Sequence, residues 1–84
     1  MMSLADFSTG MHLVPVDLDG PAPPRMPAES HEAMLRTFAP QFRPGDAVYY
    51  YCSDQVEWDR LMGSDGYILV RDGRVVDSVV VRMN

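Results

Sequence analysis

The sequence predicts a small α+β fold: an extended arm over residues 1–26, then one domain over residues 27–84 with the element order helix, strand, helix, strand, strand. Three observations predict it. Pro15, Pro21, Pro23 and Pro24 crowd the arm and favour extended or irregular backbone. His31, Met34, Leu35 and Phe38 recur at helical spacing. Asp72-Gly73 separates two β-rich apolar runs, as in a two-residue hairpin turn. With 84 residues there is room for one such domain and not for two. The expected sheet is small, three-stranded and mostly antiparallel, with both helices on one face.

Within the arm, Val14, Val16 and Leu18 alternate with Pro15 and Asp17, a strand pattern that Pro15 confines to a sheet edge. The first helix is expected over 27–38. Pro27 suits the first helical position, where no N–H is needed, and Glu29 and Glu32 suit the positive end of the dipole. Pro40 stops it. Pro44-Gly45-Asp46 marks a turn, and Ala47 to Cys52 reads as a strand through Val48 and three consecutive tyrosines. Asp54 and Glu57 have the spacing of a capping box, which opens a short helix over 55–62 with Trp58, Leu61 and Met62 inward. Gly63 is expected to end it in the left-handed conformation. Ser64-Asp65-Gly66 reads as a turn into the hairpin arms 67–71 and 74–82. A two-residue turn sets Arg71 opposite Arg74, Val70 opposite Val75 and Leu69 opposite Val76. The two facing arginines repel, so each needs water or an acid.

Side chains alternate across a strand, yet Tyr67-Ile68-Leu69-Val70 and Val79-Val80-Val81 are apolar at every position. Both faces of the sheet are therefore apolar, and two short helices hide one. The other needs the arm or another chain, which makes a homo-oligomer or a protein partner the expected association.

Charge and composition exclude several functions. Net charge is −5, all seven basic residues are arginines, and there is no lysine. That disfavours nucleic acid, whose affinity comes from basic groups on phosphates. It also removes Schiff-base chemistry and the P-loop lysine. Cys52 is the single cysteine, so no internal disulfide forms, which fits a reducing compartment, the cytoplasm. The first residues lack a basic start and an apolar core, and no run approaches the ~20 residues of a membrane span, so no membrane association is expected.

No residue set converges on catalysis, and no metal or cofactor is expected. Val14 to Gly20 resembles the Asp-x-Asp-Gly opening of haloacid-dehalogenase-type phosphatases, but Pro21 stands where that motif has Thr. The lysine of that chemistry is missing as well. His12, Asp17 and Asp19 could share a cation, yet they lack the later ligands of a calcium loop. Cys52 could act as a nucleophile with His12 or His31 as base, although a buried strand cysteine is the simpler reading. Tyr49, Tyr50, Tyr51 and Tyr67 offer large apolar bodies with polar tips, and Arg71 and Arg74 offer anion-binding forks. These six are the interface candidates.

Gly45-Asp46, Tyr49-Tyr50-Tyr51, Trp58, Gly66-Tyr67, Leu69-Val70-Arg71, Gly73, Val75-Val76-Asp77-Ser78 and Met83-Asn84 together make a pattern. It resembles a group of small uncharacterised bacterial proteins that end in a Gly-Tyr-x-Leu-Val-Arg-x-Gly hairpin closing on Met-Asn. The resemblance covers residues 45–84 and implies a fold without implying a site. The expected function is a protein-binding or self-associating module without catalysis. The alternative is a small enzyme or ligand-binding domain using Cys52 or the hairpin arginines.

Overall fold

A computed structural model describes residues 2–23, 26–60 and 63–83. Its architecture grows outward from the predicted hairpin. Strands β4 (Ser64–Arg71) and β5 (Arg74–Met83) are joined by Asp72 and Gly73, with φ of 53° and 75°. These are the positive angles that a type I′ turn requires. Arg71 faces Arg74 and Val70 faces Val75, as the turn dictates. Beyond that the register departs from expectation: Leu69 faces Asp77 because Val76 is an extra residue, a β-bulge. A second bulge at Val81 lets Asp65 face Arg82 while Gly66 faces Val80.

Strand β3 (Ala47–Ser53) pairs antiparallel with β4. The sheet is five-stranded rather than three-stranded, because the arm adds a strand at each edge. Strand β1 (Met2–Ser3) pairs with β5, and β2 (Met11–Val16) pairs with β3, which gives the order β1-β5-β4-β3-β2, antiparallel throughout. Pro15 lies on the outermost strand, where its missing N–H interrupts no ladder. Between β1 and β2 lies the single helical turn α1 (Leu4–Phe7), capped by the Ser3 hydroxyl, which accepts from the Asp6 N–H at 3.2 Å. The arm is thus part of the same sheet as the hairpin.

Helix α2 (Ala28–Phe38) starts just after Pro27 and runs into a 3₁₀ turn over Ala39–Gln41 at Pro40. Its stripe is the predicted one: His31, Met34 and Phe38 are buried and Leu35 is half-buried. Helix α3 (Gln55–Asp59) is shorter than the 55–62 expected. Leu61, Met62 and the Glu57 half of the capping box lie outside the described residues and side chains. Gly63 does not take the left-handed conformation of a helix stop. It is small because the Trp58 ring lies against it, where a Cβ would overlap the indole.

Ser64-Asp65-Gly66 is the beginning of β4 and not a turn. The Ser53 hydroxyl explains the extension. It donates to the Ser64 carbonyl at 3.1 Å and accepts from the Ser64 N–H at 3.0 Å, drawing the chain into the sheet. Gly66 is required by close approach, since any Cβ there would collide with the Val79 carbonyl oxygen.

Both faces of the sheet are apolar, as the pleat arithmetic demands. One face carries Val48, Tyr67 and Leu69 beneath Met34 and Phe38 of α2, with Met26 and half-buried Val16, Leu18, Tyr50, Val79 and Val81 around them. The other carries Tyr51, Ile68 and Val70 against Leu4, Phe7, Met11 and Leu13, all from the arm. Phe7 meets Tyr51 edge-to-face, with centroids 5.0 Å apart and planes at 90°. Such a pair adds roughly 0.5–1.5 kcal/mol beyond its area. The arm is therefore the cover that the second face needed.

Candidate functional site

The six interface candidates do not gather into one patch. Tyr51 and Tyr67 are 3% and 0% exposed, core residues with no area to offer a partner. Tyr49 is half-buried on the arm-covered face, and Tyr50 is half-buried on the α2 face. Arg71 is committed within the chain. Its Nε and Nη2 donate to Asp46 at 2.8–3.3 Å, and Nη2 also donates to the Gln41 carbonyl at 2.9 Å. Asp46 is the acid that relieves the facing arginines, and Arg74 stays exposed at the tip. The Arg71 hydrogen bond, helped by the Arg43 N–H, holds the Asp46 carboxyl below its ordinary value.

The register builds a polar row that spacing alone did not reveal. His12, Cys52, Asp65 and Arg82 are successive cross-strand partners on β2, β3, β4 and β5. Asp65 is 2% exposed. Arg82 Nε donates to its two oxygens at 3.1 and 2.9 Å, and Nη2 donates to Oδ2 at 2.5 Å. Arg82 Nη2 also reaches the Met26 sulfur at 3.7 Å. With Tyr50 and Trp58, three members of the row line a shallow hollow of about 260 Å³. Burial first, then the Cys52 thiol and the Asp65 carboxylate, push the Tyr50 hydroxyl up to about 12. It stands 3.5 Å from Asp65 Oδ2.

The row stops short of a catalytic arrangement. Cys52 is half-buried and donates to the Ser53 carbonyl at 3.3 Å, while His12 is exposed. His31, the other candidate base, is buried with its ring 6.1 Å from that of Tyr67. Among the described residues no three His, Cys, Asp or Glu side chains gather closely enough to hold a metal, so His12, Asp17 and Asp19 do not form the cation site their spacing allowed. Asp17 instead accepts from the Asp19 N–H at 2.9 Å, a local turn.

Comparison with protein-family models, curated proteins and solved structures finds no match to this chain. Its own geometry has to carry the functional reading. Among the described residues no helix is long and apolar enough to cross a membrane.

The remaining feature is main-chain rather than side-chain. Among the described residues, β1 pairs only with Arg74 and Val75 of β5. Beyond Val75 no strand among the described residues lies outside β5, although β5 continues to Met83; of its outer groups, the Ser78 N–H is accepted by the Asp77 carboxylate at 2.8 Å. Ser78 and Val80 are exposed there, Val80 at 49%.

Proposed function

We propose that this chain is a small protein-binding module that works by strand addition at the open edge of β5. The observation that supports it is the stretch of β5 beyond Val75, which runs to Met83 with no strand outside it among the described residues. An unpaired edge is a template for another strand, and the bulges at Val76 and Val81 confine pairing here to the regular stretch 77–80. An extended segment of another chain laid beside β5 satisfies the outer main-chain groups, and alternate side chains set specificity.

The test uses a fluorescent peptide of alternating valine and threonine and a second peptide carrying a central proline. Polarisation is expected to rise with the first and not with the second. Equal responses, or none, would remove strand addition.

The hollow beside Asp65 favours a second reading, a ligand-binding domain with Cys52 in its wall. There the Arg82 charge already faces a carboxylate, which leaves the site near neutral and suited to an uncharged ligand. Thiol labelling of folded protein separates the readings. Slow labelling that a small neutral compound does not change argues against an occupied hollow.

A further inference from the structure

We infer that the strand β5 accepts is β5 of a second copy, related by a two-fold axis normal to the sheet. This deepens the strand-addition reading and rests on it. An axis of that kind pairs two β5 strands antiparallel and joins two five-stranded sheets into one, keeping both α2 helices on the same side.

Three features of the edge are self-complementary. Its charges lie at opposite ends, Asp77 near the hairpin and Arg82, held by Asp65, near the far end, so antiparallel pairing sets acid near base at longer range. Asp77 accepts from Gln41 Nε2 at 2.7 Å and from the Ser78 N–H at 2.8 Å, and pairing exchanges that Ser78 bond for one to the second copy. Bulges at Val76 and Val81 bracket a regular stretch over residues 77–80, which fixes where the axis can pass. Antiparallel partners must share a face, so the axis passes through a residue position. With Val79 on the axis, Ser78 faces Val80 of the second copy, and Asp77 faces position 81, one step from Arg82. Val80 supplies the third feature. It stands opposite Gly66, which offers it no side chain, and it is half exposed. Pairing covers both copies of Val80 near the axis, where each contact occurs twice.

The edge is short compared with the roughly 800 Å² per partner of a standard interface, so a reversible dimer in the micromolar range is expected. Sedimentation over a concentration series tests it. The wild-type chain is expected to move from 9.4 kDa toward twice that mass as concentration rises. Val80→Lys and Ser78→Lys place a lysine opposite the partner strand at exposed positions that support no core contact, and each is expected to weaken the dimer about tenfold or more. Circular dichroism of both variants should match wild type. A monomer at every concentration, while the alternating peptide still binds, overturns the second copy and leaves strand addition standing. A dimer that neither lysine weakens overturns the placement of the interface at β5. A monomer that binds no peptide overturns both.

Discussion

The two edges of the sheet are built from opposite materials. At the β2 edge the outermost strand runs only from Met11 to Val16, carries Pro15, and is followed by the acidic turn Asp17–Asp19. At the β5 edge a longer strand, without proline and rich in valine, has on its outer side, among the described residues, only Met2 and Ser3. Both edges receive a strand from the arm, yet the arm becomes the edge itself at β2 and covers only the hairpin end at β5. The difference teaches that the arm serves the faces before the edges. Leu4 and Phe7 are spent on Tyr51, Ile68 and Val70, and the chain then crosses to β2 and leaves most of β5 open.

The largest effect on this contrast should come from Gly66→Ala. A Cβ there meets the Val79 carbonyl, so β4 and β5 must separate at the middle of the open edge. A loss of about 3 kcal/mol or more is expected in denaturant unfolding, because the clash is with the Val79–Val80 backbone, which cannot swing aside as a side chain can. A loss below about 1 kcal/mol would show that β5 is seated more loosely than described.

Asp65→Ala comes next. It removes the carboxylate that holds Arg82 and the far end of β5. Half of the Arg82 side chain is in water, so the cost is moderated to about 1–2 kcal/mol. Amide exchange should quicken over residues 80–83 while residues 11–16 stay unchanged. Equal quickening at both edges would erase the distinction.

The hairpin tip has a pH signature. The Asp46 carboxyl sits below its ordinary 3.8 because Arg71 bonds the charged form, so its stabilising contribution is complete above that value. The contribution is lost as pH falls through the lowered value. Asp46→Asn should lower the melting temperature at neutral pH and flatten its fall on acidification. Parallel curves for variant and wild type would remove Asp46 from the acid response.

The smallest effect belongs to Val14→Lys on the β2 edge. Val14 is 46% exposed beside Pro15, so stability should change by less than about 0.5 kcal/mol and association not at all. A dimer that Val14→Lys dissolves would move the docking edge from β5 to β2.

Much of this fold is legible in the residues. Asp72-Gly73 names its turn, Pro15 names an edge, and the stripe of His31, Met34 and Phe38 names the helix, because each is a local steric or periodic constraint. The two-sided apolar hairpin also announces that something must cover its second face. Sheet size was not legible: Met2–Ser3 is too short to show a period, and its pairing with β5 depends on where α1 packs. The turn expected at Ser64-Asp65-Gly66 failed because glycine serves turns and close strand approach alike, and only the neighbouring Val79 carbonyl distinguishes them. The polar row from His12 to Arg82 depends on the register of four strands and on the bulge at Val81, which no local pattern encodes. The tyrosine run showed a strand, but alternation sends its rings to two faces, so it does not make the single interface its density suggested.

Hydrogen exchange across β5, read at low and at high protein concentration, addresses the open edge most directly. On dilution, the outward Val80 amide should exchange quickly and the Ser78 amide, whose N–H the Asp77 carboxylate accepts, less quickly, while the inward ones stay protected. At high concentration the outward amides should slow by about tenfold or more, with no change over residues 11–16. Outward β5 amides that exchange at one rate at every concentration would contradict a docking strand at this edge.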